Sequence, residues 1–135
     1  MMMGEFVTLI QMGLPVKIVV LNNGTLGFVE LEMKASGFLD TGCDLKNPNF
    51  AAMAAAMGIK GIRVERPQEL EAAINEALSH DGPALLDVVS ARQELILPPT
   101  TTLDEAWHFG MFTMKAVLDG RVGQLIDLAK VSLER

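Results

Sequence analysis

Asn22, Asn23 and Gly24 form the stretch of this sequence whose residue types are best suited to bind a ligand. An amide oxygen and a neighbouring backbone carbonyl can together coordinate a hard cation such as Mg²⁺, which prefers oxygen ligands and is commonly shared with a phosphate. The same residues are also typical of a plain turn, because Asx side chains bond local backbone and glycine accepts positive φ. Local chemistry alone leaves both interpretations open.

An apolar run precedes this turn and places it in the fold. Val16 to Leu21 is short and rich in β-branched residues, which is typical of a strand buried on both faces of a parallel sheet. In open α/β sheets, ligands bind beyond the carboxyl ends of the strands. The Asn-Asn-Gly turn follows such an end, so it is the predicted position of a binding site.

Two more strands are predicted at 59–65 and 84–89, and helices alternate with all three strands. Asn47 and Pro48 are typical of a cap and a first helical residue, so they predict where the helix after the first loop begins. Asp87 interrupts the last apolar strand and is interpreted as a structural hydrogen-bonding group rather than a catalytic acid. This order predicts an α/β fold in three layers, with a parallel sheet covered by helices on both faces.

Beyond the sheet the pattern becomes purely helical. The predicted division is a sheet-containing domain at 1–91, a connector at 92–102 and a helical tail at 103–135. Asp119 and Gly120 break the tail into two helices, of which the second has one apolar face. Such a face either packs on the protein or lies on a membrane surface. The balanced charges of its polar side predict only weak attraction to anionic lipid.

Composition and charge exclude several classes of function. The 135 residues suit one domain, and a formal charge of -6 with scattered Lys and Arg argues against nucleic-acid binding. A single cysteine, Cys43, excludes an internal disulfide, and His80 and His108 lack the spacing of a zinc site. We expect a cytoplasmic protein, because the sequence shows neither a signal peptide nor an apolar run of the roughly 20 residues that span a membrane.

The turn and its flanks resemble the second half of the thiamine diphosphate motif, in the stretch VKIVVLNNGTLGFVELEMKASG. The likeness extends over the whole chain, through DGPALLDVV and ELILPP, and is greatest to the quinone-linked pyruvate dehydrogenases, flavoproteins related to pyruvate oxidase. The Asn-Asn pair itself is shared with acetolactate synthases and other decarboxylases. The resemblance implies the carboxyl-terminal diphosphate-binding domain of such an enzyme.

Gly-Asp-Gly, the first half of this motif, does not occur in the sequence, and the spacing of the family would place it just before Met1. We therefore expect a thiamine diphosphate-binding fold that is truncated at its N-terminus, with an exposed sheet edge and exposed apolar surface. We also expect the isolated chain to self-associate or to bind the cofactor poorly, and to be inactive alone.

The resemblance assigns cofactor roles residue by residue. It implies that the Asn23 side chain and the Thr25 backbone carbonyl ligate Mg²⁺, which bridges the protein to the diphosphate. The residues implied in binding thiamine diphosphate are Asn23, Thr25, Leu26 and Gly27.

Phe28 and Glu32, one helical turn apart, align with catalytic residues that line the cavity near the thiazolium in the pyruvate oxidase relatives. The resemblance implies that Phe28 shields the reacting carbon and contacts the flavin, and that Glu32 orders substrate or water. From the residues alone, core packing of Phe28 and a solvated position of Glu32 are equally compatible with the pattern.

The reaction implied by the resemblance is oxidative decarboxylation of pyruvate to acetate and CO₂, with electrons passed to FAD and then to a membrane quinone. FAD would be held by a domain that this sequence lacks. The family further implies a homotetramer whose tail binds membrane lipid, at the inner face of the cell membrane. Two alternatives stay open: another thiamine diphosphate enzyme such as an acetolactate synthase, and a non-catalytic membrane- or partner-binding module.

Overall fold

The computed structural model describes residues 3–92 and 103–133. The chain divides into two compact units: Met1–Asn23 with Lys46–Ser90, and Gly24–Leu45 with Ala91–Arg135. The first unit contains the sheet, and the second is built from helices and one long loop.

The helices and strands follow one another in the predicted order. In chain order they are α1 (Glu5–Gln11), β1 (Lys17–Asn22), α2 (Gly27–Ala35), α3 (Phe50–Ala56), β2 (Lys60–Val64), a 3₁₀ turn (Pro67–Glu69), α4 (Leu70–Ser79), β3 (Ala84–Val89), α5 (Leu103–Leu118) and α6 (Val122–Leu133). The three strands confirm the predicted α/β fold, and α5 and α6 confirm the helical tail. Apart from Arg92, the predicted connector at 92–102 lies outside the described residues.

The sheet of the first unit has three parallel strands in the order β1-β3-β2. Asp87 of the middle strand lies opposite Val20 of β1 and Arg63 of β2. The carboxyl ends of all three strands therefore lie at one edge of the sheet, where Asn22 is the last residue of β1.

Alternate residues of β3 face opposite sides of the sheet, and each side is covered by helix. On one side Leu85 packs with the buried side chains of Ala54 and Ile59, and residues of α1, β1 and α3 complete this cluster. On the other side Leu86 packs with residues of β2 and α4. The unit thus has the three predicted layers, with helices on both faces of a parallel sheet.

Gly61 allows α3 to approach β2 closely. A Cβ atom at this position would lie 2.0 Å from the carbonyl oxygen of Ala51, which is a backbone atom that cannot move aside without shifting the helix. Only glycine fits this contact, so the distance between α3 and the sheet depends on it.

Strand β1 has an exposed apolar face. Val19 and Leu21 are 59% and 71% exposed. Among the described residues, β1 pairs only with β3. This agrees with the expectation of an exposed sheet edge with apolar surface beside it.

In the second unit α2 packs on α5, and α5 packs on α6. Phe112 and Ala116 of α5 are buried in this unit. The tail also holds the loop after α2: Lys115 Nζ donates to the Gly37 carbonyl at 2.7 Å, and Arg121 Nη1 donates to Asp40 Oδ1 at 3.1 Å.

None of the described helices combines the length and the hydropathy that crossing a membrane requires.

One helix begins two residues later than predicted. Asn49, not Asn47, caps α3, because the Asn49 side chain accepts a hydrogen bond of 2.8 Å from the Ala52 N–H. Asn47 is used elsewhere: its Nδ2 donates to Asn22 Oδ1 at 2.9 Å. The prediction that Asn47 caps this helix is therefore wrong, because the Asn47 side chain binds Asn22 instead.

Candidate functional site

Asn22 and Asn23 end strand β1, and the structure gives Asn22 a structural role. Asn22 Nδ2 donates to Asp87 Oδ1 at 3.0 Å, while Asn22 Oδ1 accepts from Asn47 at 2.9 Å. Both ends of this amide are thereby engaged within the first unit. Asn23 follows as a half-buried residue at the end of that unit. The structure thus uses the Asn22 amide to join β1 to the rest of its unit.

Asp87 organises the carboxyl edge of the sheet. Its carboxylate is fully buried and accepts hydrogen bonds from Asn22 Nδ2, from the Phe50 backbone N–H at 3.0 Å and from Arg63 Nη1 at 2.6 Å. These bonds join β1, β2 and the start of α3 to the middle strand. The interpretation of Asp87 as a structural hydrogen-bonding group is confirmed.

The turn after β1 continues into the second unit through Gly24, whose φ of +67° is in the left-handed region that disfavours other residues. Two backbone hydrogen bonds hold the segment that follows. The Leu26 N–H donates to the Cys43 carbonyl, and the Leu45 N–H donates to the Gly24 carbonyl, both at 2.9 Å. These bonds flank Thr25, which forms an antiparallel bridge with the loop after α2.

Thr25 is buried and its hydroxyl is bound from α2. Thr25 Oγ1 lies 2.6 Å from Glu30 Oε2 and 3.1 Å from the Cys43 carbonyl oxygen. Because a hydroxyl has one proton to donate, the shorter contact to the carboxylate takes it. Such a charge-assisted hydrogen bond is stronger than a neutral one, so Glu30 is the main partner of this side chain.

Glu30 forms a buried ion pair with Lys34, four residues later on α2. Lys34 Nζ lies 2.5 Å from Glu30 Oε1, and the side chains are 0% and 2% exposed respectively. Lys34 Nζ also lies 5.5 Å from the centroid of the Phe112 ring, at a distance where a cation is attracted to an aromatic face. Arg92 is a second cation, 3.8 Å from Glu30 Oε2.

The surroundings keep Glu30 ionised. Burial raises the pKa of its carboxyl, but the hydrogen bonds from Lys34 and Thr25, with the charges of Lys34 and Arg92, together lower it further, so the pKa lies below its ordinary value. One oxygen of this carboxylate binds Lys34 and the other binds Thr25. Glu30 therefore links Lys34, on the buried face of α2, to Thr25.

Phe28 and Glu32 lie on the opposite, exposed face of α2. Phe28 is 74% exposed and does not pack in a core of the described chain. Glu32 lies one turn later and is also exposed. Leu26, which precedes the helix, is exposed too, and Gly27 is the first helical residue. The structure brings Phe28 and Glu32 together on one face and separates them from Glu30 and Lys34.

The donor chemistry of the turn suits Mg²⁺ and a diphosphate. Asn23 offers an amide oxygen and Thr25 a backbone carbonyl, which are hard oxygen ligands. No side chain caps the first turn of α2, and a helix N-terminus favours an anion. Within residues 3–92 and 103–133, no three His, Cys, Asp or Glu residues cluster as a metal site. The two candidate donors are neutral oxygens of the kind that Mg²⁺ binds.

Sequence reasoning missed the buried face of α2. The i,i+4 spacing of Glu30 and Lys34 predicts an ion pair on a helix, but nothing in the pattern indicates that the pair is buried or that Thr25 joins it. The segment VELEMK alternates apolar and charged residues, so no helical face stands out as apolar. The only available signal was the i,i+4 spacing of opposite charges.

Several known proteins are similar in sequence to this chain. A putative thiamine pyrophosphate-containing protein of Bacillus subtilis, YdaP, is 35% identical over 135 residues, which are 100% of this chain and 23% of that protein. The mitochondrial acetolactate synthase of Schizosaccharomyces pombe is 39% identical over 100 residues, or 70% of this chain and 14% of that enzyme. The acetolactate synthase catalytic subunit of Saccharomyces cerevisiae is 38% identical over 115 residues, or 81% of this chain and 16% of that subunit. The chain spans less than a quarter of the length of each of these proteins.

A family match agrees with these relatives and with the oxygen-donor chemistry of the turn. Residues 1–88 match the sequence model of the family described as thiamine pyrophosphate enzyme, C-terminal TPP binding domain, in which thiamine pyrophosphate is the same compound as thiamine diphosphate. The matched segment includes the sheet except for Val89, the last residue of β3, and every residue of the turn. The chain belongs to the thiamine pyrophosphate enzyme family, in its C-terminal cofactor-binding domain.

Proposed function

We propose that this chain supplies the Mg²⁺- and diphosphate-binding part of a thiamine diphosphate enzyme of the acetolactate synthase type, which forms acetolactate from pyruvate. The observation that carries the proposal is the arrangement around the turn: Asp87 and Asn47 engage Asn22, and Asn23 follows at the carboxyl edge of the sheet. When bound, thiamine diphosphate supplies the electron sink for loss of CO₂ from a 2-keto acid.

In this proposal the turn and the start of α2 hold the cofactor. Asn23 contributes its amide oxygen to Mg²⁺ and Thr25 its backbone carbonyl, and the metal neutralises charge on the diphosphate. Leu26 and Gly27 bring the chain into α2, where backbone N–H groups favour an anion. These residues bind and orient the cofactor without reacting.

Phe28 and Glu32 take the catalytic roles on the exposed face of α2. Phe28 covers the reacting carbon and excludes water from it, while Glu32 orders the substrate or a water molecule by hydrogen bonding. Exposure of a large aromatic side chain beside a carboxylate supports these roles, because neither residue is used by the core of the chain.

Two of the three relatives described above are named acetolactate synthases, and they favour this activity over the quinone-linked pyruvate dehydrogenase that the sequence resemblance put first. Thiamine diphosphate is supported by the family match, whereas FAD, quinone and pyruvate oxidation have no such support. The shared turn does not distinguish the two activities, and these relatives support the acetolactate synthase alternative better than the activity that the resemblance put first.

Oxidative decarboxylation of pyruvate to acetate is the second candidate, and the tail favours it. Large apolar side chains of α5 and α6 are exposed, among them Trp107, Leu118 and Ile126. The alignments with the two acetolactate synthases cover 70% and 81% of this chain and leave the rest of it unmatched. In this candidate function FAD and a quinone accept the electrons, the tail binds membrane lipid, and the enzyme is a tetramer.

The full polypeptide expressed from the gene tests both candidates. With pyruvate, Mg²⁺ and thiamine diphosphate, we expect acetolactate; acetate that forms only with an electron acceptor would favour the second candidate instead. Sedimentation with lipid vesicles, compared with a Leu118→Asp/Ile126→Asp variant, tests the tail separately.

The metal site is tested by Asn23→Ala, with Asn75→Ala on the exposed surface of α4 as its control. We expect the first variant to lose Mg²⁺-dependent thiamine diphosphate binding and the second to keep it. Equal binding by both variants would reject the proposed site.

A further inference from the structure

A side-chain hydrogen bond joins Thr25 to Glu30, five residues later in the chain. The Thr25 hydroxyl donates to Glu30 Oε2 at 2.6 Å, and the Glu30 backbone N–H donates to the Leu26 carbonyl at 2.9 Å. Glu30 thus binds the turn with its side chain and the first turn of α2 with its backbone. Glu30 is therefore the residue through which the Thr25 side chain is joined to α2.

Lys34 fixes the carboxylate that makes this contact. It binds Glu30 Oε1 at 2.5 Å, while Oε2 accepts the Thr25 hydroxyl at 2.6 Å and lies 3.8 Å from Arg92 Nη2. Both charges are buried, so neither side chain can exchange its partner for water without opening the unit. Because Lys34 holds Oε1, the Glu30 carboxylate is a rigid acceptor for the Thr25 hydroxyl at Oε2.

We propose that Glu30, fixed by Lys34, is a positioning residue for metal binding: by holding the Thr25 hydroxyl it sets the direction of the Thr25 backbone carbonyl. This inference rests on the proposed function, in which that carbonyl ligates Mg²⁺. Partners of ligand residues orient the ligand atom, and their loss typically weakens metal affinity by about 10- to 100-fold. Glu30 itself touches neither the metal nor the substrate in this role.

Thr25→Val removes the hydroxyl, keeps the side-chain shape and leaves the Glu30–Lys34 pair in place. We expect the Mg²⁺ concentration that half-saturates thiamine diphosphate binding to the full polypeptide, measured by titration calorimetry, to rise by about 10-fold or more. Thr113→Val is the matched control, because its hydroxyl also bonds a backbone carbonyl in the same unit, at 2.9 Å. This control should bind Mg²⁺ as the native protein does.

Two more variants separate positioning from simple stabilisation. Thr25→Ser restores a hydroxyl and should recover most of the Mg²⁺ affinity. Glu30→Met with Lys34→Met replaces the buried pair by apolar side chains of similar length, which keeps such sites folded in many proteins. We expect this double variant to unfold at nearly the native temperature without ligands and yet to bind Mg²⁺ as weakly as Thr25→Val.

Native Mg²⁺ affinity in Thr25→Val or in the folded double variant would overturn the inference, and so would equal weakening by Thr25→Ser and Thr25→Val. These results differ from a failure of the proposed function. If Asn23→Ala leaves Mg²⁺-dependent binding intact, the metal site itself is rejected. If Asn23→Ala abolishes binding while Thr25→Val does not weaken it, only the positioning role of Glu30 is rejected.

Discussion

Asn22 donates a hydrogen bond of 3.0 Å to the buried carboxylate of Asp87, and this contact fixes the last residue of β1 against the middle strand of the sheet. The residue that follows, Asn23, is the candidate metal ligand. Within the second unit, Thr25 is held in turn by the buried carboxylate of Glu30. In each unit a buried carboxylate thus holds a side chain of the segment that carries the candidate ligands.

Asp87→Asn should destabilise the first unit. The substitution removes the charge that binds Arg63 and turns an N–H group toward one of three donors, so we expect the free energy of unfolding to fall by about 2 to 4 kcal/mol. Urea unfolding followed by circular dichroism measures the change. Asp81→Asn, in an exposed turn, is the control and should change stability by less than about 0.5 kcal/mol. Equal stability of the two variants would show that the Asp87 contacts contribute nothing.

Asn49→Ala should weaken the start of α3. Loss of the 2.8 Å hydrogen bond to the Ala52 N–H removes a cap, which typically lowers the free energy of unfolding by about 1 kcal/mol. Asn75→Ala, on the exposed surface of α4, should instead be neutral or slightly stabilising, because alanine is the better helix former. Thermal unfolding of both variants gives the comparison, and a destabilised Asn75→Ala with a native-like Asn49→Ala would contradict the assigned cap.

Local sequence was sufficient for elements that depend on a continuous apolar run. Strand β3 was predicted at 84–89 and lies at Ala84–Val89, because six largely apolar residues between turn residues have few other structures open to them. The strands β1 and β2 were predicted within one residue at each end. The turn after β1 was also predicted, since two amides and a glycine are strong local signals.

Contacts between distant residues could not be predicted in the same way. Asn47 has the local pattern of a helix cap, yet its side chain binds Asn22, which is 25 residues away. Lys34 is among the residues least expected in an interior, but Glu30 and the ring of Phe112 surround its charge there. Burial of such groups is decided by partners that periodicity does not identify.

Gly61→Ala should destabilise the first unit strongly. The added Cβ would lie 2.0 Å from the Ala51 carbonyl oxygen, so α3 must move away from β2, and we expect a loss of about 3 kcal/mol or more in the free energy of unfolding. Gly110→Ala in α5 is the control, because nothing lies within 4 Å of the added atom there. It should stabilise its helix by about 0.5 to 1 kcal/mol. Urea unfolding distinguishes the two, and similar effects at both positions would argue against the close approach.

Lys34→Met alone should be worse tolerated than the double variant Glu30→Met/Lys34→Met. The single substitution leaves the Glu30 carboxylate buried without its main partner, which typically lowers the free energy of unfolding by about 3 to 5 kcal/mol. Removing both charges avoids this cost, so the double variant should recover most of the loss. Urea unfolding of the native chain, both single variants and the double variant gives the coupling between the residues. Additive losses would mean that the two charges do not depend on each other.

Val19 and Leu21 should drive association of the 135-residue chain. They form an exposed apolar face on a strand that, among the described residues, pairs on one side only, and such edges pair readily with other chains. Val19→Lys with Leu21→Lys adds charge at this face and should shift the chain toward monomer in sedimentation equilibrium, with little change in thermal stability. Val7→Lys with Met12→Lys adds the same charge at exposed positions on and just after α1 and should leave association unchanged. If both pairs of substitutions dissociate the assemblies equally, the change in net charge is responsible and the exposed face of β1 is not the contact.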